Sequence, residues 1–166
     1  KRNYLLIRWY REVALRRFEF ASITESQIPS LEEIYELEES NSLHEISIIG
    51  KNKLRRIVSV TPDLLLSTRE YLDLYRTELI ERFKTKNKKY NPPKEAFLSS
   101  KTGQVIGLTS ISNLIKNLMK KADVNAWGHR IRASSLTALF ESEYQAAKEE
   151  KLRLNSKEPI DFAEEI

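Results

Sequence analysis

The stretch Gly128-His129-Arg130-Ile131-Arg132-Ala133-Ser134-Ser135-Leu136-Thr137-Ala138-Leu139-Phe140 sets a His and an Arg three residues apart where a helix with one apolar face begins. An imidazole titrates near neutrality and can act as a general base or hydrogen-bond partner. A guanidinium offers a planar fork of donors that grips phosphate with two charge-assisted hydrogen bonds. A capping His beside a solvated Arg has the same spacing, so the pair gains weight only from other reactive residue types at defined places upstream. Arg16 lies beside Arg17 and three residues before Glu19, and Lys51 sits at a Gly-Lys-Asn-Lys turn.

The elements that must position these groups can be read from periodicity. Leu5, Leu6, Trp9, Tyr10, Val13 and Ala14 give a helical period over Tyr4 to Arg17. Pro29-Ser30 opens a short helix with Ser30 and Glu33 in capping-box relation, and Leu31, Ile34, Tyr35 and Leu37 are expected to pack inward. Two β-branched runs, Glu45 to Ile49 and Leu54 to Val60, flank the turn that carries Lys51 and predict a hairpin. Thr61-Pro62-Asp63 is an N-cap with Pro at the first helical position, starting an amphipathic helix through about Phe83. Lys84 to Pro93 reads as a basic loop, and Ala96 to Gln104 as a short strand and turn. Thr109 or Ser110 then caps a helix with Ile111, Leu114, Ile115 and Leu118 inside and Lys116, Lys120 and Lys121 outside.

Composition narrows the function class. With 166 residues, 40% of them apolar and 31% charged, the chain can bury one core without covalent staples, and one domain is expected. It has no cysteine, and His44 and His129 are far apart, so neither disulfides nor a metal site nor any cofactor is expected. No apolar run approaches a membrane span, and Lys1-Arg2-Asn3-Tyr4 lacks the apolar region of a signal peptide, so a soluble, cytoplasmic protein is expected. The net charge of +4 comes from 28 basic and 24 acidic residues that are segregated along the chain. Acid gathers in Glu32, Glu33, Glu36, Glu38 and Glu39 and again from Glu149 onward. Base gathers in Lys51 to Arg56, Lys84 to Lys94 and Lys116 to Lys121, which suits a protein with one nucleic-acid-facing side.

In order and setting, these motifs resemble the catalytic domain of the tyrosine recombinases, the family that includes the phage integrases. Ala14-Leu15-Arg16, two further residues, Glu19, then Phe20, Ile23 and Gln27-Ile28 are similar to the family's first signature box. Gly50-Lys51-Asn52-Lys53-Leu54-Arg55-Arg56-Ile57-Val58 resembles its basic hairpin, and His129-x-x-Arg132 its second box. The resemblance runs from Tyr4 to about Phe140. It implies an α+β, mostly helical fold with a small antiparallel hairpin at one edge. Ala14 stands in place of a Gly, Gln27 in place of an Asp and Ala133 in place of a second His, and the acidic helix after Ser30 reads as an insertion.

The resemblance further implies catalytic roles for Arg16, Lys51, His129 and Arg132. Contacts to double-stranded DNA are expected from Lys53, Arg55 and Arg56 on the hairpin, from Arg17 and Arg130 beside the two boxes, and from Lys116 and Lys120. Attack on a phosphodiester builds charge on the non-bridging oxygens, which two arginines can hold. A Lys with a lowered pKa can protonate the leaving 5′ oxygen, and no metal is needed. Intact members assemble as tetramers on paired DNA sites. The family's nucleophilic Tyr follows the second box with a Gly-His-type motif, which is absent here, and Tyr144 comes too early on the helix of the box itself. Residues 1–166 are therefore expected to be a recombinase catalytic domain that ends before its nucleophile, lacks the N-terminal DNA-clamping domain and does not cleave DNA alone. Two other classes are open: a degenerate module that binds DNA without catalysis, and a helical protein-interaction module using the Glu32 to Glu39 face.

Overall fold

In the computed structural model, which describes residues 1–50, 54–124 and 128–154, the chain opens with α1 (Arg2–Glu12). Leu5, Leu6, Trp9 and Tyr10 are buried along one stripe of that helix. Its end comes earlier than the apolar period predicts, because Ala14 takes a left-handed backbone with φ of 53°. That break makes Arg16 an extended residue (φ −80°, ψ 159°) at the N-cap of a separate helix, α2 (Arg17–Ser22). The Glu19 carboxylate closes the first turn by accepting the Arg16 backbone N–H at 2.6 Å.

A single 3-10 turn (Glu25–Gln27) leads to α3 (Leu31–Glu39). The expected capping box is present: Ser30 Oγ accepts from Glu33 N at 3.3 Å, and Glu33 Oε2 accepts from Ser30 N at 2.7 Å. Ile34 is fully buried and Leu37 packs on the core, whereas Leu31 and Tyr35 are 41% and 51% exposed, contrary to expectation. A helix this short lying on the flank of the core buries only a narrow stripe.

β1 (His44–Ile49) and β2 (Arg55–Val60) form the expected antiparallel hairpin, with Ile46 opposite Val58 and Ile48 opposite Arg56. Ile46, Ile48, Val58 and Val60 face inward, while Ser47, Ile49, Arg55 and Ile57 are exposed, following the two-residue alternation of a pleated strand. Thr61 Oγ1 caps α4 (Pro62–Glu70) by accepting from Leu64 N. The helix continues through a π-helical stretch (Tyr71–Arg76) into α5 (Thr77–Lys86). It thus takes up Lys84 and Lys86 from the segment expected to be loop. Arg76, 5% exposed, points back from the π stretch to Glu25 (2.6 Å) and to the carbonyls of Pro93 (2.7 Å) and Glu95, fastening the loop that follows.

The short strand expected near residues 96–100 is reduced to two isolated bridges, Thr24 with Glu95 and Leu98 with Val105, closed by a turn in which Gly103 takes φ of 70°. α6 (Leu108–Lys121) starts from Gly107 rather than from Thr109 or Ser110, because the Gly107 carbonyl already accepts from Ile111 N at 3.0 Å. Ile111 and Ile115 are buried and Lys116, Lys120 and Lys121 exposed, as the period predicts. α7 (Gly128–Leu154) carries the second box on its first two turns and packs on α1. The described residues therefore make a mostly helical α+β fold with one two-stranded sheet. Its core joins α1, α2, the hairpin and α4, with Tyr10, Phe20, Phe97 and Tyr71 in successive ring contacts. Among the described residues no helix is long and apolar enough to cross a membrane.

Candidate functional site

Glu19 is fully buried on α2, and an unpaired carboxylate there would be prohibitively costly. Two arginines neutralise it. Arg16 Nη1 lies 3.0 Å from Oε1, and Arg56, reaching in from β2, places Nη2 2.9 Å from Oε2 and Nε 3.4 Å from Oε1. Burial pushes the Glu19 carboxyl up, but hydrogen bonds from Arg56, from the Arg16 backbone and from the Arg16 side chain outweigh it and hold the group below the ordinary value.

A third guanidinium completes the cluster. Arg132, half-buried on α7, donates from Nε to the Ala14 carbonyl at 2.7 Å. The left-handed Ala14 that ends α1 thus also turns its carbonyl toward the second box. Burial presses the Arg132 pKa down; Arg16 and Arg56 act in the same direction, and Glu19 opposes them. Arg132 is near enough to feel the charges of Arg16, Glu19 and Arg56, so three guanidiniums and one carboxylate give the cluster a net charge of +2. The Arg16 side chain is 41% exposed and its hydrogen bonds among the described residues use only Nη1 and the backbone N–H. Among the described residues nothing else occupies the rest of its fork.

The remaining predicted residues fall into groups. Lys51 and Lys53 lie outside the described residues. Gly50, just before them, is against the site: a Cβ there would stand 3.6 Å from Glu19 Oε1 and 3.3 Å from the Leu54 carbonyl. The backbone of His129 is in the first turn of α7, one turn before Arg132, and its side chain is outside the described set. Arg17 donates to Ser112 Oγ on α6 at 2.7 Å. Ser112, Lys116 and Lys120 follow one another at four-residue spacing along α6, so Arg17 and the two lysines share one stripe. Arg55 is exposed on the outer face of the hairpin, and Arg130 is exposed on α7.

Glu19 was not among the residues the sequence assigned to the site, although it is the group the arginines converge on. Strand parity points to Arg56 as its partner. Arg56 has the same parity as Val58 and Val60, so a charged residue falls on the buried face and requires a buried acid.

No protein-family model and no curated protein matches the sequence. The fold is that of the tyrosine recombinase catalytic domain. The solved structures that carry it include XerH, a site-specific recombinase bound to its palindromic difH substrate in a post-cleavage complex. It aligns with a TM-score of 0.60 and 17% identity, over 86% of this chain and 35% of that one. The XerA recombinase aligns with a TM-score of 0.59 and 19% identity over 85% of this chain and 43% of its own, and the pre-cleavage XerH–difH complex with 0.58 and 17% over 86% and 36%. The chain spans less than half the length of these recombinases, and at such identity the likeness is one of fold.

Proposed function

We propose that this chain is the catalytic part of a site-specific DNA recombinase, which cleaves and rejoins strands through a 3′-phosphotyrosyl intermediate. The observation that carries the reading is the convergence of two arginines remote in sequence: Arg16, paired with Glu19, and Arg132, bonded to the Ala14 carbonyl two residues before Arg16. A phosphodiester carries one negative charge and its five-coordinate transition state two. The cluster's net charge of +2 therefore complements the transition state better than the ground state, which is the condition for rate enhancement.

In this reading Arg16 and Arg132 hold the non-bridging oxygens of the scissile phosphate. A tyrosine oxygen attacks phosphorus, forming the new P–O bond as the bond to the 5′ oxygen breaks. The phenol proton passes to His129 and the leaving oxygen takes one from Lys51; rejoining runs the same steps backward. Tyr144 does not serve its own site, because three turns of α7 set it about 18 Å along the axis from Arg132. The reading therefore requires a tyrosine other than Tyr144 as the nucleophile.

The test mixes the natural full-length protein with a nicked duplex from the flanking DNA and looks for a covalent adduct. An adduct that disappears on Arg132→Ala, and survives Tyr144→Phe, supports the reading. Duplex binding with no adduct under any condition would instead make the chain a DNA-binding relative without catalysis.

A further inference from the structure

Resting on the recombinase reading, we infer that Arg56 is a positioning residue: it takes up the Glu19 carboxylate so that Arg16 keeps its guanidinium for the phosphate, and it does not itself grip DNA. Arg56 lies on the inward face of β2, opposite Ile48 and in line with Val58 and Val60. Its side chain turns toward Glu19 with two nitrogens, at 2.9 and 3.4 Å. Arg16 meets the same carboxylate with a single side-chain nitrogen. Arg55, one residue earlier, points the other way and is exposed, so the two adjacent basic residues have different work.

The physical reason is competition for one buried acid. A carboxylate with no solvent contact must be neutralised by its neighbours. With Arg56 in place, Arg16 contributes one arm, and its Nε and Nη2 make no hydrogen bond among the described residues. Without Arg56 the full charge of Glu19 falls to Arg16, whose planar fork matches a carboxylate as well as it matches a phosphate. The guanidinium would then close onto Glu19 in a bidentate pair and be withdrawn from the substrate. The same contact fixes the hairpin to α2, because Arg56 on β2 and Gly50, just past the end of β1, both lie against Glu19.

A double-mutant cycle on duplex affinity tests this, with a short mixed-sequence duplex as probe and salt varied. Arg56→Gln alone is expected to weaken binding about tenfold, the scale of one lost charge-assisted contact. Glu19→Gln in the Arg56→Gln background is expected to restore binding to within about threefold, because the competing charge is gone. The E19Q/R56Q protein has the wild-type net charge, and its salt slope is expected to equal that of the wild type. If Arg56 held a phosphate, that slope would fall by about 0.9 and no rescue would be seen, which would overturn the inference. Should Arg56→Gln fail to fold, the slope and affinity of the double variant against wild type decide alone. A wild-type chain whose duplex binding is insensitive to Arg132→Ala would instead sink the recombinase reading. In that case the Glu19–Arg56 coupling is read from denaturant stability over the same four proteins, and coupling of zero would dispose of the positioning role as well.

Discussion

Glu19 shows how one residue can set both the stability and the chemistry of a site. Its carboxyl is held below the ordinary value of 4.5, against the upward push of burial, by Arg56 and by the backbone and side chain of Arg16. A depressed folded pKa contributes stability that is fully present above the unfolded value and is lost as pH falls through the folded one. The wild type is therefore expected to lose stability as pH drops below about 4.5, with part of that loss belonging to this one group. Glu19→Gln should be less stable at neutral pH by roughly 2 kcal/mol, since two guanidiniums lose their acid, yet show a flatter stability profile in acid. Denaturant titrations of both proteins across the acid range give the comparison. Parallel profiles would mean that Glu19 contributes nothing to the pH dependence.

At the scale of elements, the join between α1 and α2 places Arg16, and it depends on Ala14. A left-handed L-residue costs about 1–2 kcal/mol, which glycine avoids. Glycine, however, gives back about 0.5–1 kcal/mol in chain entropy and forfeits about 0.8 kcal/mol of buried methyl. Ala14→Gly should therefore change stability by less than about 1 kcal/mol in either direction, whereas Ala14→Val should cost about 2 kcal/mol or more through its branched carbon and the tight surroundings. Equal effects of the two substitutions, measured by urea unfolding, would show that the left-handed turn carries no strain. The substitution of Ala for Gly was visible in the sequence, but its consequence was not, because the conformation follows from how α1 and α2 pack. The helix periods, the capping box at Ser30, the hairpin and the Thr61 cap were all legible from local pattern. Element ends were less so: α1 stops at Glu12 and α6 starts at Leu108 for reasons of backbone geometry that side-chain types do not encode. In the candidate site the arginines were legible as motifs. That Glu19 is the acid that gathers them required knowing that the hairpin packs on α2 and brings the Arg56 side chain to it.

For the whole molecule, the net charge of +4 is too small to drive tight DNA binding, so its arrangement must. α3 presents five glutamates and no basic residue, while the exposed stripe of α6 carries Lys116 and Lys120 in line with Ser112, to which Arg17 is hydrogen-bonded from α2. If the duplex lies on the α2 and α6 side, each lysine on that stripe that meets a phosphate displaces a counterion. Replacing both Lys116 and Lys120 with Gln should then lower the magnitude of the salt slope by about 1.8 and weaken binding uniformly across sequences. Replacing Glu32 and Glu36 with Gln should leave the slope unchanged, because charges more than about 10 Å from the duplex are screened at ordinary salt. Both pairs change net charge by the same amount with opposite sign, so a response governed by total charge alone would move the two affinities by equal and opposite steps. A slope that moves only with the lysines locates the duplex on the α6 stripe that Arg17 joins; a slope that moves with neither removes α6 from the interface.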